Sequence, residues 1–378
     1  MKSRFLFAIL LLGLALPTAA SSAAGDAWLK IAPFFSPPVA FRGQFDDYPS
    51  PLKFYDGTPT AAPTDWPRRR QEILDYWQRT MKPWPALLER PRLVRQETLH
   101  RDNYTQVRVS AELAAGFMQA GYLLIPDGQG PFPAVLVVYY DPATSAGLPS
   151  EYVRPFGKDA HKLRQFARDL AMRGFVTLAI GAPGGDALLP ELNGAETQGL
   201  SYLAYLAANS HTLLARQPEV RPDRIGVTGH SYGGKWAMFA SCLYEKFACA
   251  AWSDPGIVFD ETRGSINYWD SFYLGYDGAQ RPRLGLVSAE NPRRGAYKEL
   301  IQDGRNLHDL HALMAPRPFL VSGGSEDYPA RWRTLNHAIA INHFLGHANR
   351  VAMHNRPAHS PTPESNEVIY LFFEHCLK

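Results

Sequence analysis

The spacing of the hydrophobic positions changes twice along the chain, near residue 92 and near residue 133. Before the first change, one stretch has helical spacing, because residues 64–81 carry Ile73, Leu74, Trp77 and Met81 on one stripe. This spacing predicts a helix. The three stretches that follow alternate polar and apolar side chains, which predicts an antiparallel meander of strands. They are residues 93–99, 105–111 and 117–125.

From residue 133 onward, short apolar runs alternate with helical stripes. Residues 133–140 are almost entirely apolar, which predicts a strand buried on both faces. Further strands are predicted at residues 175–181, 225–228, 248–252, 318–322 and 350–354. Helices are predicted at residues 161–173, 200–216, 235–243, 309–314, 334–345 and 364–377. This order predicts an α/β fold in which helices cover both faces of one mainly parallel sheet.

One long stretch, residues 255–306, has no clear periodicity. It carries several arginines and the aromatic residues Tyr268, Trp269, Tyr273 and Tyr276. Long loops in compact domains are usually functional or disordered, and the aromatic content argues against disorder. We therefore expect a lid over the carboxyl edge of the sheet, with Trp269 as a surface on which a sugar ring stacks. The alternative is that these aromatic side chains form a buried structural plug.

The N-terminal residues divide into a leader and an extension. Residues 1–24 combine a basic start, an apolar run and a small-residue cleavage region, as a secretory signal peptide does. The sequence therefore predicts an exported protein, with an uncleaved anchor as the alternative. Residues 25–91 form a proline- and aromatic-rich extension that contains the first helix, and residues 92–378 form the main domain.

Charge and cysteine content exclude several classes of function. The net charge is only +3 and no basic run is interleaved with aromatic residues, which argues against a nucleic-acid partner. The three cysteines, Cys242, Cys249 and Cys376, lack the spacing of a metal site. Because their number is odd, they cannot all pair within the chain. A disulfide between Cys242 and Cys249 and a set of three buried thiols are both compatible with the sequence.

The strongest chemical signal is at residues 225–235, which read Ile-Gly-Val-Thr-Gly-His-Ser-Tyr-Gly-Gly-Lys. A strand, a G-x-S-x-G turn and a helix in this order predict a nucleophile elbow, which holds Ser231 in a strained turn. Gly229 and Gly233 leave room for that turn. The backbone N–H of Tyr232, at the start of the helix, is expected to face the oxyanion. The alternative is a glycine-rich turn with an incidental serine.

A serine nucleophile needs a general base, and the base needs an acid that orients it. The expected chain order is serine, acid, histidine, which places the base after the last strand, where His359 lies. The acid is then expected after the preceding strand, where Asp327 follows Gly-Gly-Ser-Glu. The alternatives are His354 as the base, and Glu326, Asp254, Asp260 or Glu261 as the acid.

Two further positions are candidates for contact with a substrate. The second oxyanion donor is expected after the strand at 133–140, from the backbone N–H of Tyr140 or Asp141. Either tyrosine, Tyr140 or Tyr232, could instead be only an aromatic wall. Lys235 lies about one helical turn beyond Ser231 and either faces the pocket or is a solvated lysine on the helix surface.

These residues resemble those of the α/β-hydrolase superfamily over about residues 93–378. Two features resemble the glucuronoyl esterases and their bacterial relatives. One is the lysine four positions after the serine, Ser231 and Lys235, and the other is His-Asp-Leu-His-Ala-Leu-Met-Ala-Pro-Arg-Pro at residues 308–318. The first helix and the Trp-Pro that follows it at residues 84–85 are similar to a leader in acetyl-xylan-esterase-like hydrolases. The resemblance implies an α/β-hydrolase fold and a lysine that touches sugar hydroxyls.

The chain departs from the glucuronoyl esterases directly after the nucleophile, where they usually carry an arginine and this chain has Tyr232. A Ser-Tyr-Gly-Gly elbow is also similar to that of prolyl-oligopeptidase-type peptidases. The resemblance therefore implies a carbohydrate-esterase-like hydrolase, without a commitment to uronate esters.

The leading hypothesis is an exported serine esterase that acts on ester-decorated polysaccharide or oligosaccharide. Ser231 would attack the ester, His359 would act as base and Asp327 would orient it, with no metal or organic cofactor required. A serine peptidase is the second hypothesis, and a non-catalytic carbohydrate-binding protein on the same fold is the third. The sequence leaves the acyl and alcohol parts of the substrate and the oligomeric state open.

Overall fold

The computed structural model describes residues 27–45, 47–150, 161–278 and 284–378. The predicted signal peptide at residues 1–24 lies outside these ranges, and export stays a prediction. Within the described ranges, no helix has both the length and the apolar character needed to cross a membrane.

Nine strands of the described residues form one sheet, in the order β1-β2-β3-β5-β4-β6-β7-β8-β9. They are Leu93–His100 (β1), Tyr104–Ala114 (β2), Phe117–Pro126 (β3), Phe132–Val138 (β4), Val176–Ile180 (β5), Val220–His230 (β6), Cys249–Ser253 (β7), Phe319–Gly323 (β8) and Val351–Asn355 (β9). The first three strands pair antiparallel, and β3 pairs antiparallel with β5. From β5 to β9 every neighbouring pair is parallel, which confirms the predicted meander and the mainly parallel sheet.

Helices cover both faces of this sheet. They are Trp66–Met81 (α1), Pro142–Ser145 (α2), Phe166–Met172 (α3), Gly199–Ala215 (α4), Tyr232–Leu243 (α5), Gly295–Gln302 (α6), Leu307–Ala312 (α7), Trp332–Phe344 (α8) and Pro363–Leu377 (α9). Successive side chains of a strand point to opposite faces. In β4, Leu136 and Val138 lie in one buried cluster with α1, α4 and α5, whereas Val135 and Val137 lie in another with α3 and α9. This double burial explains why β4 is apolar throughout.

Two predicted elements differ from the observed ones. The helix expected at 161–173 is interrupted, because residues 161 and 162 are helical, residues 163–165 leave the helix, and α3 begins at Phe166. The His161 ring lies 2.7 Å from the carbonyl oxygen of Leu148. The stretch 255–306 contains a helix that the spacing did not predict, α6, whose buried side chains are only Ala296, Tyr297 and Leu300. Because α6 has only about two helical turns and three buried side chains, its hydrophobic stripe is too short for the sequence to distinguish this helix from a loop.

The residues before α1 pack against the helices and form only short regular elements, a helical turn at residues 27–31 and 3₁₀ helices at Ala32–Phe35 and Pro63–Asp65. Arg69 Nε donates a hydrogen bond to the carbonyl oxygen of Pro51 at 2.9 Å, and the Asn336 amide donates to the carbonyl oxygen of Phe41 at 2.8 Å. These bonds satisfy backbone groups that proline-rich chain cannot pair in a sheet or helix. The division of the chain at residues 24 and 91 stays a prediction.

The described parts of residues 255–306 are folded onto the start of α4. The side chain of Gln198 accepts a hydrogen bond from Tyr276 N at 3.0 Å and donates one to Tyr276 O at 2.8 Å. Whether this segment opens and closes as a lid stays a prediction.

The three cysteines are free thiols in the structure. Cys242 and Cys249 are buried and Cys376 is partly exposed, so the disulfide between Cys242 and Cys249 is not formed. Burial raises the pKa of the Cys242 thiol, as expected for a small side chain that serves as core packing.

Candidate active site

The turn between β6 and α5 has the geometry of a nucleophile elbow. Ser231 has φ 59° and ψ −115°, in a region that L-residues rarely adopt. A Cβ atom added at Gly229 or Gly233 would lie 2.4 Å or 2.1 Å from the carbonyl oxygen of Val138, so neither position has room for a side chain. The end of β4 is therefore pressed against the elbow, and the serine stands at the carboxyl edge of the sheet.

His359 lies in the loop between β9 and α9 and contacts the serine. Its Nε2 is 2.8 Å from Ser231 Oγ, and its Nδ1 is 2.7 Å from Asp254 Oδ2. A carboxylate can only accept, so Nδ1 carries the proton, and Nε2 is left to accept the serine O–H. The three side chains form a continuous relay from the serine to a buried carboxylate.

The acid in this relay is Asp254, and the prediction of Asp327 is wrong. Asp254 follows β7 directly and has φ 50°, a left-handed conformation that aspartate tolerates better than most residues. Its carboxylate also accepts hydrogen bonds from the backbone N–H groups of Gly324 at 2.6 Å and Asp327 at 2.9 Å. The turn after β8 therefore surrounds the Asp254 carboxylate with N–H donors, which stabilise its charge away from water.

Asp327 points away from His359 and into the turn after β7. Its carboxylate accepts hydrogen bonds from the N–H groups of Gly256 at 2.9 Å and Ile257 at 2.6 Å. Burial, followed by the nearby charge of Asp254, raises the pKa of Asp327 to about 7. Asp327 thus stabilises the backbone of the segment that follows Asp254.

The remaining acid and base candidates lie in other interactions. Asp260 pairs with Arg331 and Glu261 with Arg293, each at 2.6 Å, and Glu326 accepts a hydrogen bond from Ser265 Oγ at 2.6 Å. The ring of His354 packs edge-on against Phe34, with ring centroids 4.9 Å apart.

Two tyrosines expected at the oxyanion position do lie beside the serine. Tyr232 is the first residue of α5, so its N–H is at a helix start, where donors lack intrahelical partners. The phenolic oxygen of Tyr140 is 3.3 Å from Ser231 Oγ. The alternative to Tyr140, Asp141, caps α2, since its carboxylate accepts a hydrogen bond from Thr144 N at 2.9 Å.

Lys235 is neither exposed on the helix surface nor open to a substrate. The residue is 4% exposed, and its Nζ donates a hydrogen bond to the carbonyl oxygen of Pro255 at 2.5 Å. The ammonium group also lies 4.8 Å from the ring centroid of Tyr268. Burial lowers the pKa of Lys235 to about 8, with Asp327 the first of several carboxylates that oppose the shift. Lys235 therefore supports the chain directly after Asp254.

Trp269 is a buried side chain, and the prediction that it presents a face to a sugar is wrong. It is 6% exposed, its Nε1 donates to the carbonyl oxygen of Gly285 at 2.6 Å, and its ring packs against Tyr297. Tyr268 and Tyr273 are buried as well. These three aromatic side chains match the structural plug, because the segment has to bury its own apolar surface, whereas Tyr276 is partly exposed.

Two further residues near the relay were not predicted. Arg356 donates to the carbonyl oxygen of His359 at 2.7 Å and to that of Ser322 at 2.7 Å, so it fixes the histidine loop to β8. His230 is buried with its ring 4.8 Å from that of His359. Burial, and then repulsion from His359, lower the pKa of His230, which keeps it neutral beside the relay. The sequence could have predicted that His230 lies near the site, because it directly precedes Ser231.

Among the described residues, no group of three or more histidine, cysteine, aspartate or glutamate side chains is arranged to hold a metal ion.

Comparison with known proteins gives structural relatives only. No protein-family model and no curated protein matches the chain. A glucuronoyl esterase from Solibacter usitatus is 18% identical, with a TM-score of 0.67 over 88% of this chain and 98% of that one. A glucuronoyl esterase from Teredinibacter turnerae T7901 is 19% identical, with a TM-score of 0.61 over 94% of this chain and 99% of that one. A candidate acetyl xylan esterase from Bacteroides fragilis NCTC 9343 is 18% identical, with a TM-score of 0.57 over 84% of this chain and 83% of that one. The chain has the α/β-hydrolase fold.

Proposed function

We propose that this protein is a serine hydrolase that cleaves carboxylic esters through an acyl-enzyme. The observation that carries the proposal is the relay of Ser231, His359 and Asp254, with donor–acceptor distances of 2.8 and 2.7 Å. An isolated serine hydroxyl is a weak nucleophile at neutral pH, and a base within hydrogen-bond reach activates it. The strained serine backbone supports the same role, because such strain concentrates at functional sites.

In the first step Ser231 Oγ bonds to the carbonyl carbon, its proton passes to Nε2 of His359, and the carbonyl electron pair moves onto oxygen. Collapse of this intermediate restores the C=O bond and breaks the bond to the alcohol oxygen, which leaves with the proton from His359. Water then attacks the acyl-serine with His359 again as base, which releases the acid and regenerates Ser231. Asp254 stays ionised throughout and stabilises the imidazolium.

We propose ester-decorated oligosaccharide or polysaccharide as the substrate class. Three structural relatives support it, since two are described as glucuronoyl esterases and one as a candidate acetyl xylan esterase. The sequence at residues 308–318, which resembles that of the glucuronoyl esterases, supports the same class. Because Lys235 and Trp269 are buried, contacts to a sugar would have to come from other residues. Export to the compartment of such a substrate rests on residues 1–24.

Ser231→Ala tests the proposal. Wild type and variant are compared on p-nitrophenyl acetate, a methyl glucuronate ester, acetylated xylan and a peptide amide, with Ser288→Ala, an exposed serine, as control. We expect Ser231→Ala to lower kcat by about 10⁴-fold or more and to abolish fluorophosphonate labelling, and Ser288→Ala to change neither. A variant that keeps a tenth of the wild-type rate would contradict the mechanism. Faster turnover of the peptide amide than of every ester would favour a peptidase.

A further inference from the structure

We propose that the side-chain hydroxyl of Tyr140 is an oxyanion donor, an inference that rests on the function proposed above. Its Oη lies 3.3 Å from Ser231 Oγ. The oxyanion forms on the same carbon that Ser231 attacks, so a donor in contact with Oγ before the reaction is adjacent to the oxyanion after it. The role belongs to the phenol group and not to the backbone N–H that the position after β4 predicts.

The fold brings this hydroxyl to the serine through the contact between β4 and the elbow. Because Gly229 and Gly233 let the elbow approach the carbonyl oxygen of Val138, the two residues that follow β4 lie beside Ser231. Tyr139 is 2% exposed, and its ring packs against that of Tyr140. Tyr140 is partly exposed and reaches the serine.

The Tyr140 ring is held in place before any substrate binds. Its centroid lies 5.0 Å from that of Tyr139 and 5.0 Å from that of Tyr232. Tyr232 is itself packed against Trp236 and Tyr273, with centroids 6.2 and 6.1 Å away. A donor that is already oriented costs no reorganisation when the charge develops, which is the condition for strong transition-state stabilisation.

The identity of the residue after the nucleophile supports this role. That residue is Tyr232, whose own hydroxyl is buried and has no hydrogen-bond partner among the described residues. Because this hydroxyl is buried, the side chain of Tyr232 offers no donor to a bound substrate. The hydroxyl of Tyr140, together with the N–H of Tyr232, supplies two neutral donors, and neither gives up its proton during the reaction.

Tyr140→Phe is the direct test, because it keeps the packed ring and removes only the O–H. On p-nitrophenyl acetate we expect kcat to fall by about 10- to 1,000-fold, with KM within about threefold of wild type. The melting temperature should not change. Tyr276→Phe, a partly exposed tyrosine with no side-chain hydrogen bond among the described residues, is the matched control and should behave as wild type.

An aryl trifluoromethyl ketone provides a second readout that does not depend on turnover. Ser231 adds to this ketone to give a charged adduct with an oxyanion, so Tyr140→Phe should weaken its inhibition constant by about the same factor as kcat/KM. The inference is overturned if Tyr140→Phe keeps kcat within threefold of wild type, or if kcat falls while the inhibition constant is unchanged. If Ser231→Ala stays active in the same assay, the proposed function fails as well, which separates the two results.

Discussion

Two turns at the carboxyl edge of the sheet carry the same residue type in different environments. The turn after β7 holds Asp254 and the turn after β8 holds Asp327, and both carboxylates are fully buried. Asp254 accepts a hydrogen bond from His359 and others from N–H groups of the second turn. Asp327 accepts hydrogen bonds from N–H groups of the first turn, those of Gly256 and Ile257. Each turn thus binds the carboxylate of the other.

This exchange shows why one carboxylate can orient the histidine and the other cannot. Asp254 has a left-handed backbone, which directs its side chain toward the histidine loop. A Cβ atom at Gly324 would lie 2.6 Å from Oδ2 of Asp254, so the glycine leaves room for this carboxylate. The carboxylate of Asp327 instead accepts its hydrogen bonds from the backbone N–H groups of Gly256 and Ile257, in the turn after β7. The order of strands identifies the edge where the acid lies, but the direction of each side chain depends on how the two turns interlock.

The largest effect is expected from Asp254→Asn. We expect kcat to fall by about 10⁴-fold, because an asparagine cannot stabilise the imidazolium and favours the wrong tautomer of His359. KM and the melting temperature should change little, since the side chain keeps its shape. Ester hydrolysis measures kcat and KM, and thermal unfolding measures the melting temperature. If Asp327→Asn were the more damaging of the two, the assignment of the acid would be wrong.

A smaller effect is expected from Lys235→Met, which removes the hydrogen bond to Pro255 next to Asp254. We expect kcat to fall by about 10- to 100-fold through loss of precise geometry, with KM unchanged, because the lysine does not face a substrate. Lys298→Met, an exposed lysine on α6, is the control and should have no effect. A rise in KM for a sugar ester with kcat unchanged would instead show that Lys235 binds the sugar, as the resemblance implies.

The smallest effect on activity is expected from Asp327→Asn, with a loss of at most about tenfold in kcat, since Asp327 does not contact His359.

The effect of Asp327→Asn on stability should depend on pH. The pKa of Asp327 is raised in the folded state, so the folded protein binds more protons than the unfolded chain between about pH 4 and 7. The stability of the wild type relative to the variant should therefore fall as pH rises through that window. Urea unfolding of both proteins at pH 4.5 and 7.5 measures this difference, and an equal difference at both values would contradict it.

Much of the molecule follows from local pattern. The apolar run of β4, the alternating strands of the meander and the helical stripes predicted most strands and helices and a mainly parallel sheet, because burial imposes a period on each element. The elbow at Ser231 and the base His359 were also predictable, since a G-x-S-x-G turn and a histidine after the last strand are defined by neighbours in the chain.

The choice of Asp254 over Asp327, the burial of Lys235 and Trp269, and the contact of the Tyr140 hydroxyl with Ser231 were decided only by the tertiary structure. Each depends on a segment distant in the chain: the second turn, the plug of residues 255–306, and the end of β4. A sequence pattern records which face of its own element a residue occupies. It does not record which distant backbone N–H, carbonyl or ring will be packed against that face, and those partners determine what a buried polar side chain does.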